Sequence, residues 1–559
     1  ATVDLRGGDD RVTITNLTPQ QATIVASSDG RVVTVSANNY TATLRNLETL
    51  RLVEVPGNDW SRAINRDFRV IDLIDFSHVG PDTLLAPGQA GWTGGSITYS
   101  FMAAAPAYGG GEGGTGFVAP PAAYQAAVRA VFAKLGAQLN VSFTEVPDSA
   151  ATYGQLRFGA NQQAATKGYA FIPGTVGDNR AGDVWLDVET LALLQPGQEG
   201  WQVLLHEIGH ALGLSHPIAE GTDTTATVLL NAWNHNGYTV MSPNTVLSGL
   251  WQTWFGAFDM QALGQLYGTG KASANPGNDF HGLGDAQGRS LATLSDSGGF
   301  DILDGSALSV GVYLDLRPGS LNSVGLTAQG MASIDNLFID AATWIEAAIG
   351  TPFDDVLIGN DGINYFLPAS GNDRVEGRVG LDAVLYGMAR ASYRVERLAD
   401  GSGAWVVADA AGADGADTLL GVERLFFADR RLALDVDGPA GEAARITATA
   451  YGPAALNDPL ATGSVLQSLD AGASVRNAYA AALASPRFVQ LAGGSDDLSF
   501  MKQMFRNLLG WEVTDALAQT YVDAFLSSGA YSQAGFAQFA SMFAQVDMVG
   551  LASSGLEYL

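Results

Sequence analysis

The sequence predicts a multidomain α+β protein: a small N-terminal β module, a mixed α/β domain, a parallel β-roll or β-sandwich domain, and an all-α C-terminal domain. Three observations carry this. Apolar residues follow period two at the start, then alternate between strand and helix spacing from Ser96. A nine-residue Gly/Asp period occupies the middle of the chain. Ala-rich segments with helical stripes fill the end. The expected boundaries are 1–60, 61–270, 271–440 and 445–559, in keeping with a length of 559 residues at roughly 150 per domain.

Within the first segment, Arg11-Val12-Thr13-Ile14-Thr15 and Arg31-Val32-Val33-Thr34-Val35 are β-branched runs, and Ser28-Asp29-Gly30 is a hairpin signal between Ile24-Val25 and Val32-Val33. In the second, Ile97 to Phe101 reads as a strand. Tyr124, Val128, Val131, Phe132 and Leu135 repeat at helical spacing, and Val141 to Val146 returns to period two. A helix over Asp259 to Tyr267, closed by Gly268, ends this region.

The third segment can be counted. Gly350, Gly359, Pro368 and Gly377 start successive nine-residue units; the sixth positions are Asp355, Asn364, Asp373 and Asp382, and the eighth are Leu357, Phe366, Val375 and Val384. Shorter copies of the Gly-x-Asp-x-apolar core occur at Gly299-Asp301-Leu303 and Gly415-Asp417-Leu419. Such a period describes a parallel β-roll with the eighth residue inward and Gly-rich turns between strands. The carboxylates of Asp355, Asp373, Asp382, Asp301 and Asp417, with Asn364 and loop carbonyls, are candidate oxygen ligands for calcium, without which stacked acids would repel. A Gly/Asp-rich loop region without metal is the alternative. Phe353, Asn364 and Pro368 depart from the repeat.

A weaker echo links the first and third segments. Gly8-Asp9-Asp10-Arg11-Val12 parallels Gly371-Asn372-Asp373-Arg374-Val375, and Leu44-x-x-Leu47-Glu48-x-Leu50-x-Leu52 parallels Leu419-x-x-Val422-Glu423-x-Leu425-x-Phe427. In the fourth segment three stripes predict helices: Phe500, Met504, Phe505, Leu508 and Leu509; Leu517, Tyr521, Ala524 and Phe525; Phe536, Phe539, Phe543 and Val546. Gly510 and Gly529 are stop signals, and Thr514 and Ser532 are start signals.

Charge and composition exclude several functions. With 57 acidic and 29 basic residues the net charge is −28, which disfavours nucleic acid and anionic membranes as partners. No run reaches the ~18 apolar residues of a membrane helix. Cysteine is absent, so disulfides, thiolate metal sites and thiol nucleophiles are excluded. Near Ala1 there is no basic stretch followed by an apolar segment and a small-residue cleavage site.

The chemistry concentrates in Trp201-Gln-Val-Leu-Leu-His206-Glu207-Ile-Gly-His210-Ala-Leu-Gly213-Leu-Ser-His216-Pro. His206 and His210 are one helical turn apart, about 6 Å along the axis, so both imidazoles leave one face. Gly213 can end the helix in the left-handed conformation and return His216 as a third nitrogen ligand. Three such ligands leave a fourth position for water, the pattern of a catalytic zinc. Glu207, adjacent to the first ligand, is placed to take a proton from that water and return it to a leaving amine. Of the chain's six histidines, His78, His235 and His281 read as ordinary core residues.

The HExxHxxGxxH segment resembles the metzincin zinc signature, and its context resembles the serralysin family of secreted bacterial metalloproteases. Ile97 to Phe101, the 124–135 helix and Asn140-Val-Ser-Phe-Thr-Glu145 are similar to that family's opening strand, helix and strand. Tyr238-Thr-Val-Met241-Ser242 resembles its Met-turn, which implies that Met241 floors the zinc. Tyr169-Ala-Phe-Ile-Pro173 and Ala181-Gly-Asp-Val-Trp-Leu186 resemble its substrate-edge region, which implies that Gly168, Tyr169, Ala170, Phe171 and Ile172 hold an extended polypeptide. A calcium β-roll is its second domain. The family's Tyr two residues after the Met is Pro243 here, which leaves the rate and pH profile open.

The resemblance implies a secreted, calcium-stabilised zinc endopeptidase, exported by type I secretion and acting on extracellular or surface proteins. The helical domain resembles a module of exported and surface-layer-associated proteins, so a surface-layer protein is a candidate partner. The rival reading is a surface-layer-associated binding or structural protein with a weak or vestigial protease domain. No oligomeric state follows from the sequence.

Overall fold

A computed structural model of the chain describes residues 81–85, 91–108, 115–174, 180–217, 234–245, 249–269, 276–340, 343–544, 546 and 548–559, preceded by seven strands between residues 2 and 69. The turn expected at Ser28-Asp29-Gly30, the Gly8-Asp9-Asp10 and Leu47-Glu48 segments and His78 lie outside the described residues. The four sequence segments fall within two compact units. One comprises Ala1–Asn278, Gly284–Gly299 and Pro318–Trp344; the other comprises Asp279–Leu283, Phe300–Arg317 and Ile345–Leu559.

In the first unit, the N-terminal strands form a four-stranded and a three-stranded sheet. Thr2–Asp4 runs parallel to Tyr40–Arg45, which continues antiparallel through Val32–Ala37 to Thr23–Ala26. Arg11–Thr15 runs parallel to Thr49–Glu54, which pairs antiparallel with Ile64–Arg69, so this β structure runs on past residue 60.

The mixed sheet that follows has the spatial order Ser142–Glu145, Ser96–Phe101, Leu156–Gln162, Asp183–Asp187, Gly168–Ala170. Its first three pairings are parallel and the last is antiparallel. Helix α1, Ala122–Gln138, buries Tyr124, Val128, Val131, Phe132 and Leu135, the five residues that spacing selected. Phe132 stacks on Phe143 with ring centroids 4.5 Å apart and meets Tyr99 at 4.7 Å. These rings fix the helix against the sheet. Helix α2, Glu199–Leu212, and α3, Ala257–Tyr267, complete the layer that carries the histidines.

In the second unit, the nine-residue period becomes strands nine residues apart: Ala347–Ile349, Val356–Ile358, Tyr365–Leu367, Arg374–Glu376 and Ala383–Leu385. Alternate strands join opposite sheets. The first, third and fifth pair in parallel in one sheet, and the second and fourth in the other. Leu357, Phe366, Val375 and Val384 are buried between them. One turn of the coil therefore takes two sequence units, which explains why the apolar position recurs every nine residues.

The chain then enters α4 (Pro439–Tyr451), α5 (Pro459–Asp470), α6 (Val475–Ala484), α7 (Pro486–Ala492), α8 (Asp497–Leu509), α9 (Asp515–Tyr521), α10 (Gln533–Ala540) and α11 (Met548–Ser554). Gly510 ends α8 at φ 68°, and the Thr514 and Ser532 side chains cap α9 and α10, as the signals predict. Two stripes are rotated from expectation. Leu517, Tyr521, Phe539 and Phe543 are exposed, while Ala518, Val522, Phe536, Ala537 and Ala540 face the core. Small residues permit close helix approach, so the bulky rings flank the contact instead of filling it. Buried Arg424 bonds Asp435 and both oxygens of Asp470, tying the coil's last turn to α5. Among the described residues no helix is long and apolar enough to cross a membrane.

Candidate metal centre

Helix α2 presents His206, Glu207 and His210 and then stops at Gly213, whose φ of 110° few other residues adopt. The Leu214 amide bonds the Gly209 carbonyl, so the chain reverses and carries His216 back over the helix. The three imidazoles meet: His216 Nε2 is 3.1 Å from His206 Nε2 and 3.1 Å from His210 Nε2.

Backbone carbonyls fix which nitrogen faces inward. His206 Nδ1 donates to the Val240 carbonyl at 2.7 Å, and His210 Nδ1 donates to the Leu214 carbonyl at 2.8 Å. Their Nε2 atoms then carry lone pairs, and lone pairs this close repel unless a cation lies among them. A tetrahedral zinc with bonds of about 2.05 Å sets its ligand nitrogens about 3.3 Å apart, which matches the observed spacing. Burial lowers the His206 pKa to about 4 and that of His210 well below its ordinary value. Both rings are therefore neutral, as ligands must be.

The floor of the site comes from the loop before α3. Met241 is fully buried, and a Cβ on Gly209 would lie 2.6 Å from its sulfur, so the glycine in the helix admits the methionine. Asp259, in the first turn of α3 and wholly buried, accepts hydrogen bonds from the amides of Val240 and Gly256, each at 2.8 Å, and from the Thr239 hydroxyl. Thr239 Oγ1 in turn accepts from the Met241 amide at 3.0 Å. The same Val240 whose amide reaches Asp259 offers its carbonyl to His206. Asp259 is thus one peptide unit removed from a histidine ligand, and sequence reasoning missed it. The signal was an acid in the first turn of a helix, which marks a cap and gives no hint of the loop it grips.

Glu207 is buried, and its Oε2 has no hydrogen-bond partner. Desolvation pushes its pKa up to about 8. The carboxyl lies directly under the sheet edge, since a Cβ on Gly168 would be 2.9 Å from Glu207 Oε1. Gly168–Ala170 forms the terminal strand of that sheet, and Tyr169 stacks on Trp185 with centroids 6.3 Å apart. Phe171 extends the ladder beyond the strand by exchanging hydrogen bonds with Asp183 and Gly182, and Ile172 is exposed. His206, Glu207, His210, His216, Met241 and Gly168 are therefore brought together. Pro243 is exposed. His235 is half-buried with Nδ1 accepting from the Gly237 amide, and His281 is half-buried on the strand Phe280–Gly282.

Residues 133–263 match the family model described as metallo-peptidase family M12B, reprolysin-like. This domain is similar to those of reprolysin-like metallopeptidases and of serralysins. Serralysin of Photorhabdus laumondii is 28% identical over 250 residues, 40% of this chain and 50% of its own length. Serralysin C of Dickeya chrysanthemi is 28% identical over 298 residues, 47% and 58% of the two chains. Metalloprotease AprA of Pseudomonas entomophila is 30% identical over 252 residues, 40% and 50%. The chain spans about half the length of the curated relatives it matches. The metzincin signature falls on the three converging imidazoles.

The calcium candidates sit at equivalent places on the coil and differ in what they touch. Asp355 accepts from the Val312 and Thr351 amides and the Thr351 hydroxyl. Asn364 has both amide atoms engaged, with its oxygen on the Asn360 amide and its nitrogen on Ile345 and Asn360. Asp417 accepts from the Asp373 amide and the Tyr386 hydroxyl. Asp301 accepts from the Asp279 amide. Asp373 and Asp382 each use Oδ1 for an amide of the preceding turn, Asp355 and Asn364 respectively, and bury an Oδ2 without a hydrogen-bond partner. Burial raises Asp382 to about 7; burial and the neighbouring Asp417 and Asp355 raise Asp373.

Proposed function

We propose that the chain is a secreted, calcium-stabilised zinc endopeptidase that cleaves extracellular or surface proteins. The observation that carries this is the convergence of three imidazoles on one point, with an unpartnered carboxyl beside them and a sheet edge above. His206, His210 and His216 would hold zinc, which when bound acidifies water and polarises a carbonyl. Glu207 takes the proton released as water attacks the peptide carbon and delivers it to the departing nitrogen. The outer edge of Gly168–Ala170 offers backbone groups to an extended polypeptide, so the scissile bond is presented directly over Glu207. Val240 and Leu214 carbonyls hold the His206 and His210 rings in the donating tautomer throughout.

Asp373 and Asp382 are well suited as calcium ligands on the coil, because an unpartnered buried oxygen is relieved by a hard cation. Calcium would let the acidic turns close, which suits folding after export into calcium-rich surroundings. The helical domain is proposed to recruit substrate at a surface, a surface-layer protein being one candidate.

The test is cleavage of casein by the purified chain. Activity should vanish with a zinc chelator, return with zinc, and fall about 100-fold or more in Glu207→Ala with zinc content unchanged. Undiminished cleavage by that variant would remove Glu207 as the base.

A further inference from the structure

Helix α2 has to stop at a fixed point, because the three residues after it decide where His216 lands. An α-helix leaves its last four carbonyls without partners of its own. At the end of α2 all four are taken. The Gly213 amide donates to the His210 carbonyl and the Leu214 amide to the Gly209 carbonyl, both at 2.9 Å. The other two donors come from distant parts of the chain. The Trp92 indole reaches the Ala211 carbonyl at 2.8 Å, and the Tyr267 hydroxyl reaches the Leu212 carbonyl at 2.6 Å.

These two donors form one unit. The Tyr267 oxygen that donates to Leu212 also accepts from the Trp92 amide at 3.2 Å. Trp92 therefore fixes one carbonyl directly and the next through α3. The fit is close on both sides: a Cβ on Gly91 would lie 2.8 Å from the Tyr267 hydroxyl oxygen, and one on Gly182 would lie 2.8 Å from Cζ2 of the Trp92 ring. Any larger residue at either place would push the phenol or the indole away from the helix end.

The chain beyond the helix is held by the same stretch of sequence. The Ser215 amide donates to the Leu84 carbonyl at 2.8 Å. Leu84 ends the short turn of helix Pro81–Leu84 and is fully buried in the core that also holds Ile208, Leu212 and Leu214. On the way from α2 to His216, the Ala211 and Leu212 carbonyls and the Ser215 amide are thus tied to residues 84, 92 and 267.

We propose that Trp92, with Tyr267 as its partner, is a positioning residue for the metal centre: it holds the end of α2 and the turn to His216 in place before the cation arrives. The proposal rests on the reading of His206, His210 and His216 as zinc ligands. His206 and His210 lie within α2 and are set by its own hydrogen-bond ladder. His216 lies outside it and meets them only through the turn Gly213–Ser215. A site whose third ligand is in place in only a fraction of molecules binds with an affinity reduced by that fraction. The bonds from Trp92 keep that fraction high. Linkage makes the effect reciprocal, so bound zinc must in turn hold the segment that Trp92 holds.

Trp92→Phe keeps an aromatic ring and deletes the indole N–H. In the full chain, the zinc Kd read by chelator competition should rise about tenfold, the loss of one buried hydrogen bond. Amide exchange over residues 213–216 should quicken in the metal-free variant and return to the level of the unaltered chain at saturating zinc. Tyr267→Phe, which removes only the bridging hydroxyl, carries the same expectation and serves if Trp92→Phe does not fold. A purely structural role would lower the melting temperature and leave the zinc Kd of the folded chain unchanged. That result, or a raised Kd with exchange over 213–216 unaltered, would overturn the proposal. An unaltered chain that takes up no zinc would sink the endopeptidase reading and this proposal with it, whereas equal zinc affinity in the unaltered and substituted chains would sink this proposal alone.

Discussion

Gly209 and Asp259 do work that the signature histidines conceal. Adding one methyl in Gly209→Ala drives a Cβ to 2.6 Å from the Met241 sulfur, so overpacking should cost about 1–3 kcal/mol of stability and loosen the floor. Thermal melting with and without zinc reads both effects. Asp259→Asn keeps the volume and turns one acceptor into a donor, facing either the Val240 and Gly256 amides, which share Oδ2, or the Thr239 hydroxyl on Oδ1. We expect zinc affinity to fall about 10–100-fold, as when the partners behind metal ligands are lost, while circular dichroism stays unchanged. A Kd equal to that of the unaltered chain would mean that His206 is held without the Val240 peptide. The histidines were legible because their spacing alone puts them on one helix face. Asp259 was not, since its role arises only when a loop 19 residues earlier folds onto it.

Among the elements, the coil repeats carry strain at the second position of two units. Ala369 and Arg378 have φ of 74° and 80°, in the left-handed region. Each costs about 1–2 kcal/mol relative to glycine by steric crowding of Cβ, less the glycine's greater entropy loss. Ala369→Gly and Arg378→Gly should therefore raise the melting temperature. The second also loses the exposed Arg378–Asp361 pair at 3.4 Å, which is worth little. A lowered melt in both would show that the left-handed turns are not strained. The strands of this region were legible because the inward position recurs at fixed spacing. In α9 and α10 the same logic held for Phe536 but not for Leu517, Tyr521 and Phe539, which are exposed; the contact is completed by Ala518, Ala537 and Ala540, which carry almost no signal of their own.

At the scale of the whole molecule, calcium and pH should act on the same acids. Asp382, ordinarily near 3.8, is raised by burial to about 7 in the folded chain, and Asp373 and Asp417 are raised in the same direction. A carboxyl whose folded pKa exceeds its unfolded value binds more protons folded than unfolded. Stability is then fully present below about pH 4 and is lost as pH rises to about 7. Without calcium the coil should melt at progressively lower temperature across that window, and calcium should flatten the dependence. A calcium-free melt that rises with pH instead would contradict the assignment of these oxygens. The order of segments could be read from composition, but the likeness in strand pairing between the N-terminal strands and the last turn of the coil could not. Short echoes become decisive only once the pairing registers of Val3, Val12, Val375 and Val384 are compared.

The account rests on three imidazoles sharing one metal, and zinc K-edge absorption of the zinc-loaded chain tests this directly. It predicts one zinc per chain with three imidazole nitrogens and one further light atom at about 2.0–2.1 Å. A coordination shell with fewer than three imidazoles, or failure of the metal-free chain to take up zinc, would contradict it.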